Sequence, residues 1–107
     1  MIKDKEKHIT ILGTIYKYIE TYDRNNAHLQ GDEGGVTNFK TKTITINMNN
    51  DNPNDIKRII LHELIHAYLY ESGNANLDDE HIVDFFAYTI PKINNSFNSI
   101  HNKDMED

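Results

Sequence analysis

Two histidines, His62 and His66, are separated by three residues, and Glu63 directly follows the first of them. On a helix, side chains four residues apart lie one above the other, so both imidazoles can reach one small cation at about 2.0–2.1 Å. A glutamate beside the first histidine can accept a proton from water activated by that cation without being a ligand itself. The His-Glu-x-x-His pattern therefore predicts a catalytic zinc (Zn2+) site, with Glu63 as the catalytic base.

The segment that carries the pattern has the composition of a buried helix. We predict this helix from about Asp55 to Ser72, with Asn52 or Asn54 as its cap and Gly73 at its end. Its apolar positions leave little polar surface in the middle: Ile56, Ile59, Ile60, Leu64, Ile65 and Leu69. An alternative is a core helix whose histidines bond only to neighbouring groups. We favour the metal site, because burying two imidazoles and a carboxylate costs free energy unless they have partners.

A catalytic zinc usually has three protein ligands and one open position, so a third ligand is needed. The candidates lie where the next helix should begin: Asp78, Asp79, Glu80, His81 and Asp84. The apolar set of that helix is Ile82, Val83, Phe85, Phe86, Ala87 and Ile90. At ~100° per residue, Glu80 falls about 90° from the centre of the helix's apolar face and His81 about 170° from it. This predicts Glu80 as the third ligand. Asp84, one turn later, would accept the free N–H of His62 or His66, and His81 remains the alternative ligand.

Two elements are expected before the histidine helix. Apolar residues at 3.6-residue spacing over residues 8–22 predict an amphipathic N-terminal helix. Residues 36–39 form a short candidate strand, and residues 42–48 a stronger one, in which Ile44 and Ile46 alternate with threonines. We expect the two strands to pair as an antiparallel hairpin, with one face packed on helices and the other face polar.

The last predicted element is the helix that carries the third ligand. It should open at Asp78 or Asp79, where an acidic side chain favours the helix N-terminus, and Pro91 should end or bend it. Residues from about 93 to 107 are rich in Asn and Ser, which favours a frayed, partly disordered tail. The length of 107 residues indicates a single domain over residues 1–107, and the pattern of elements indicates the α+β class.

Composition narrows the classes of partner and compartment. The net charge of −6 argues against non-specific binding to nucleic acid or to an anionic membrane. The absence of cysteine excludes disulfides and thiolate zinc sites. No apolar run is long enough to cross a bilayer, and the charged start of the chain makes a poor signal peptide. We therefore expect a cytoplasmic protein.

Over residues 35–93 the chain resembles the small phage-associated metallopeptidases of the ImmA/IrrE-like group, within the gluzincins. The residues that carry the resemblance are Leu61 to Gly73 (LHELIHAYLYESG), Asp79 to Ala87 (DEHIVDFFA) and Ile90 to Ile93 (IPKI). The resemblance implies a minimal zincin-like fold and zinc-dependent cleavage of a protein or peptide substrate, such as a regulator of a mobile element. Gluzincins place an aspartate four residues after a glutamate ligand, and Glu80 and Asp84 match that arrangement.

Three other interpretations stay open. The His-Glu-x-Ile-His-Ala stretch is also similar to that of SprT-like proteases, which use a third histidine, here His81; the acidic charge and the lack of cysteine count against them. The chain could instead be a zinc-binding regulatory protein without turnover, although such a site has no need for Glu63. The third is a metal-free helical binding module.

The sequence also suggests how a peptidase of this kind would hold its substrate. An extended peptide could add to the edge of the strand that runs from Ile44 to Met48 through main-chain hydrogen bonds. Tyr68, Tyr70 and Tyr88 are candidates for stabilising the developing oxyanion, although each is better explained as an ordinary packed aromatic side chain.

Overall fold

The chain starts with a β-hairpin. The structure is a computed structural model, and it describes residues 3–29, 34–50 and 52–103. Strand β1 (Lys5–Ile11) pairs antiparallel with strand β2 (Thr14–Thr21). The two-residue turn between them consists of Leu12 and Gly13, which have positive φ angles of 49° and 87°. Two consecutive positive φ angles match the right-handed twist of the flanking strands, so this turn favours a tight hairpin.

The helix predicted over residues 8–22 is therefore wrong. Ile11 and Tyr16 also fit a two-residue alternation, and both are buried on one face of the hairpin. Leu12 and Ile15, which the helical stripe would have buried, are 58% and 63% exposed. The segment is rich in isoleucine, threonine and tyrosine, which favour strands, and Gly13 supplies the turn.

Two further strands complete a mixed sheet of four strands. Strand β3 (Gly35–Asn38) and strand β4 (Thr43–Asn47) form the predicted antiparallel hairpin. Strand β4 also pairs in parallel with β2, which gives the order β1-β2-β4-β3. The prediction that β4 offers an edge to a substrate is wrong, because β4 lies inside the sheet. The edge strand on that side is β3.

Both faces of β4 are buried. Ile44 and Ile46 point into the main core, while Thr43 and Thr45 are buried on the opposite face, as a central strand requires. That opposite face is polar, as predicted, and Ala27 borders it. Because both faces of β4 are buried, a shift of the strand by one residue would be unfavourable, and this fixes its register against both neighbours.

Helix α1 (Pro53–Glu71) lies across the main core face of the sheet. Asn52 caps it, with its side-chain oxygen accepting a hydrogen bond from the Asn54 backbone N–H at 2.9 Å, and Gly73 with a φ of 80° follows its end. These boundaries confirm the predicted helix to within two residues. Ala67 is fully buried at the contact with the sheet, and Ile59, Ile60 and Leu64 pack beside it.

A charged cluster anchors the end of α1 to the sheet. Glu71 accepts hydrogen bonds from Lys42 at 2.7 Å, from Tyr16 at 2.7 Å and from Thr14 at 2.9 Å. The hydrogen bonds from Lys42 and then Tyr16 lower the pKa of the Glu71 carboxyl to about 2. A glutamate at a helix C-terminus is unfavourable on its own, so the lysine and the two hydroxyls offset the helix dipole there.

A short 3₁₀ helix (Ala75–Leu77) leads into helix α2 (Glu80–Lys103). Pro91 lies inside α2, and the helix continues past it, where the sequence predicted an end or a bend followed by a partly disordered tail. Residues 104–107 of that predicted tail lie outside the described residues. In the described part of the chain, no helix combines the length and the apolar character that crossing a bilayer requires.

Most of the apolar set predicted for α2 does not reach the core. Val83 and Ala87 are fully or almost fully buried, but Ile82, Phe85 and Phe86 are 37%, 60% and 42% exposed. Helix α1 is the main element that packs against α2, and these three side chains remain partly open to solvent.

Candidate metal site

Two helices bring three donor groups to one point. His62 and His66 lie one turn apart on α1, and Glu80 is the first residue of α2. The Nε2 atoms of the two histidines are 3.0 Å apart. One carboxylate oxygen of Glu80 lies 3.0 Å from Nε2 of His66, and the other lies 3.3 Å from Nε2 of His62. These three residues form a cluster that could hold a metal ion.

The separations fit a small tetrahedral cation. Ligand atoms at about 2.0–2.1 Å from a tetrahedral ion lie roughly 3.3–3.4 Å from one another. The Nε2 atoms are 3.0 Å apart, and each lies 3.0 or 3.3 Å from a different oxygen of the Glu80 carboxylate, so all three distances are close to this value. An ion of this kind therefore needs only small shifts of the side chains.

Two aspartates fix the other ring nitrogens. Nδ1 of His62 lies 2.9 Å from a carboxylate oxygen of Asp84, and Nδ1 of His66 lies 2.5 Å from one of Asp78. A neutral imidazole that donates its Nδ1–H to a carboxylate turns the lone pair of Nε2 toward the other donors. Two lone pairs and the Glu80 carboxylate then converge, and a cation between them removes their mutual repulsion.

Glu63 is buried next to this cluster but is not part of it. It is only 7% exposed, and Thr37 on β3 donates a hydrogen bond to its carboxylate at 2.7 Å. Burial raises the pKa of Glu63; the hydrogen bond from Thr37 and the neighbouring His66 and His62 oppose that rise. A carboxylate with a raised pKa is suited to exchanging protons near neutral pH.

Glycine at position 35 lets β3 approach α1 closely. A Cβ atom at Gly35 would lie 2.9 Å from Cγ of Glu63 and 3.1 Å from Cγ2 of Ile59. Both distances are shorter than ordinary carbon contacts, so a larger residue would push the strand away from the helix. The position of Thr37 against Glu63 depends on this close approach.

The cluster opens into a cleft of about 630 Å³ between β3 and the start of α2. Arg58 and Phe39 border the cleft together with the donor residues and the backbone of β3. The three tyrosines considered as oxyanion donors do not line it. Tyr70 stacks on Phe39 with ring centroids 4.3 Å apart, which is a packing role.

The structure brings the predicted site residues together and adds two that the sequence analysis did not assign. His62, Glu63, His66, Glu80 and Asp84 converge, whereas His81 is exposed and lies outside the cleft. The added residues are Asp78, which the sequence offered only as a possible ligand, and Thr37, which lies on a strand with no local signal of a role.

Comparison with known proteins adds no family assignment. No protein-family model, curated protein or solved structure matches this chain. A function can therefore be inferred from the geometry of the described residues alone, and the resemblance of residues 35–93 to the gluzincins stays a prediction.

Proposed function

We propose that this protein is a zinc-dependent metallopeptidase that hydrolyses peptide bonds of a protein substrate. One observation carries the proposal: two imidazoles and one carboxylate converge on a point, and a second, buried carboxylate, that of Glu63, lies beside them without joining them. A site that only bound a metal ion would have no use for a carboxylate that is not a ligand. The additional carboxylate is what hydrolysis requires.

The donor set supports zinc as the metal. Two histidines and one carboxylate at tetrahedral separation, with space left on the cleft side, are typical of catalytic zinc rather than of calcium or magnesium, which prefer oxygen ligands. When bound, zinc supplies Lewis acidity, which polarises a peptide carbonyl and makes water acidic enough to react near neutral pH. His62, His66 and Glu80 would hold it, with Asp84 and Asp78 orienting the imidazoles.

Glu63 is the group that moves the proton. Its carboxylate would accept a proton from the attacking water and deliver that proton to the amine that leaves. The hydrogen bond from Thr37 holds one carboxylate oxygen in place, which leaves the other oxygen for the reaction. Burial raises the pKa of Glu63, and this favours both halves of the transfer.

The substrate would bind as an extended strand on β3. This edge strand borders the cleft from Gly35 to Thr37, and its outer side is free of any described strand. Main-chain hydrogen bonds to such an edge hold a peptide without demanding a particular sequence. The scissile bond would then lie across the mouth of the metal site.

The alternative is a zinc-binding regulatory protein without turnover, and one experiment separates the two. A proteome-derived peptide library is incubated with the zinc-loaded protein and with Glu63→Gln, and new peptide ends are identified by mass spectrometry. We expect cleavage with the wild type only and equal zinc content in both proteins. Equal cleavage by both would refute the role of Glu63, and no cleavage by either would favour the alternative.

A further inference from the structure

One end of the metal-site cleft carries a positive charge. Arg58 lies one turn before His62 on the same face of α1, and it lines the cleft. Among the described residues that line this cleft, it is the only lysine or arginine. A guanidinium stays charged at any pH at which the protein is folded, so a bound peptide would meet a permanent cation at this end.

The guanidinium of Arg58 is only weakly engaged by the protein itself. In the described part of the chain, its one ion pair is with Asp55, three residues earlier on α1, at 3.6 Å. This distance is longer than a charge-assisted hydrogen bond, and the two side chains are 52% and 43% exposed. Such pairs contribute little to stability. Arg58 therefore keeps N–H donors free, and a planar guanidinium can bind a carboxylate through two parallel hydrogen bonds.

The acidic side chains of the cleft do not use Arg58 as a partner. Four carboxylates line the cleft, those of Glu63, Asp78, Glu80 and Asp84. Three of them contact the imidazoles of the metal site, and the fourth, that of Glu63, accepts a hydrogen bond from β3. None of the four forms an ion pair with Arg58. The charge of Arg58 is therefore available to a substrate.

The direction of β3 decides which part of a bound peptide meets Arg58. The strand begins beside Ile59, which Gly34 and Gly35 both approach, and Phe39, just after the strand, stacks on Tyr70. Strand β3 and helix α1 therefore run in the same direction. Antiparallel pairing is the more stable way to add a strand. A peptide that adds to β3 in this way has its C-terminal part at the Arg58 end of the cleft.

The distance from Arg58 to the metal site corresponds to a few substrate residues. Arg58 precedes the midpoint between His62 and His66 by six residues, which is about 9 Å along the helix axis. An extended peptide covers about 3.3 Å per residue, and a helical side chain leans toward the helix N-terminus. The guanidinium should therefore meet a group about two to four residues C-terminal of the bond that lies at the metal site.

We infer that Arg58 selects substrates by binding a carboxylate on the C-terminal side of the cleaved bond. This carboxylate belongs either to an aspartate or glutamate side chain or to the end of the substrate chain. The inference rests on the proposed peptidase function and adds a preference to it. Main-chain hydrogen bonds to β3 hold any extended peptide, whereas Arg58 distinguishes acidic peptides from neutral ones. Arg58 is thus a specificity residue and takes no part in the proton transfer by Glu63.

Cleavage of a proteome-derived peptide library by the zinc-loaded protein tests the inference. We expect the wild type to favour sites with a carboxylate within four residues C-terminal of the cleaved bond by roughly tenfold over neutral sites. Arg58→Gln should still cleave but without this preference, and Arg58→Glu should favour lysine and arginine at the same positions. Lys57→Gln removes the same charge from the adjacent exposed residue, which does not line the cleft, and should keep the preference.

Synthetic versions of the best-cleaved peptide distinguish the two sources of the carboxylate. Replacing its acidic side chain by the corresponding amide should slow cleavage if Arg58 binds a side chain. Amidation of its C-terminus should slow cleavage if Arg58 binds the chain end. Cleavage that both replacements left unchanged would overturn the inference.

A binding measurement separates recognition from catalysis. The same peptide, fluorescently labelled, should bind zinc-loaded Glu63→Gln, and adding Arg58→Gln to that variant should weaken binding roughly tenfold with the zinc content unchanged. Fluorescence anisotropy measures both affinities. Cleavage by the wild type without an acidic preference, or with a preference that Arg58→Gln retained, would overturn the inference and leave the proposed function standing. Absence of cleavage by the wild type would count against the proposed function, and the inference would fail with it.

Discussion

Nε2 of His62 and Nε2 of His66 face each other at 3.0 Å, while Nδ1 of each ring contacts an aspartate carboxylate. Donation of both Nδ1–H groups makes the two Nε2 atoms acceptors, which repel each other unless a cation or a proton lies between them. Glu80 closes the third side with a carboxylate. This arrangement is costly without a cation and stable with one.

Loss of Glu80 should weaken zinc binding strongly. Glu80→Ala removes one of three protein ligands, and we expect the affinity to fall at least on the order of 100-fold, more than the loss of an outer partner. His81→Ala changes the adjacent residue, which lies outside the cleft, and should bind zinc like the wild type. Competition with a chromogenic chelator measures both affinities. A larger loss in His81→Ala than in Glu80→Ala would reassign the third ligand.

Loss of either orienting aspartate should lower the zinc affinity less than loss of a ligand does. Asp78→Asn and Asp84→Asn remove the acceptors that orient His66 and His62, and we expect zinc affinity to fall about 10–100-fold in each. Asp79→Asn is the matched control, since the Asp79 carboxylate accepts the His81 backbone N–H at 2.8 Å and does not line the cleft. If all three variants bound zinc equally, the aspartates would have no orienting role.

The close contact between the β3 backbone at Gly35 and the side chain of Glu63 should be required for Glu63 to act as the catalytic base. Gly35→Ala would place its Cβ 2.9 Å from Cγ of Glu63, which cannot yield without moving the carboxylate. We expect loss of most peptidase activity with zinc binding retained. In Gly34→Ala the nearest atom, also at 2.9 Å, is the terminal Cδ1 of Ile59, which can rotate away.

The comparison between these two alanine variants is the readout. Assays on the peptides that the wild type cleaves measure the peptidase activity of each variant, and zinc titration measures its zinc affinity. Equal activity of Gly35→Ala and Gly34→Ala would show that the spacing between β3 and Glu63 is not critical.

Acid should weaken the anchor of α1. The pKa of Glu71 is about 2 in the folded protein and 4.5 as a free side chain, so its ionised form stabilises the fold above about pH 4.5. That stabilisation is lost progressively as pH falls from about 4.5 toward 2. Glu71→Gln should therefore lower stability at pH 7 more than at pH 3.

Urea unfolding of the metal-free protein at both pH values measures this difference. Other carboxylates titrate in the same range, but they do so equally in the wild type and in Glu71→Gln, so the difference between the two isolates Glu71. A difference that stayed constant from pH 7 to pH 3 would contradict the assigned role.

The sequence predicted the second half of the fold much better than the first. The histidine helix has strong local signals, since Asn52, a long apolar pattern and Gly73 mark its two ends. Residues 8–22 satisfy both a helical and a strand period, so periodicity could not decide between them. The decisive feature was Gly13, which the helical pattern ignored and which the hairpin turn uses at a φ of 87°.

Within the site, spacing along helices was predictable and contacts between elements were not. The convergence of His62, Glu63 and His66 was predicted from the helical repeat. The roles of Glu80 and Asp84 were predicted from their angular positions around the axis of the next helix. Thr37 and Asp78 reach the site from an edge strand and from a loop, whose positions depend on the tertiary packing. Ile82, Phe85 and Phe86 of α2 were likewise expected on a buried face, yet they are exposed, because an apolar face does not specify which molecule covers it.

Zinc binding by the purified chain tests the central claim most directly. X-ray absorption at the zinc edge, on protein loaded with one equivalent, reports the number and type of ligands. We predict one zinc per chain with two imidazole nitrogens and oxygen ligands at about 2.0–2.1 Å, and no tight binding by the His62→Ala, His66→Ala double variant. Failure of the wild type to bind zinc, or equal binding by the double variant, would contradict the account.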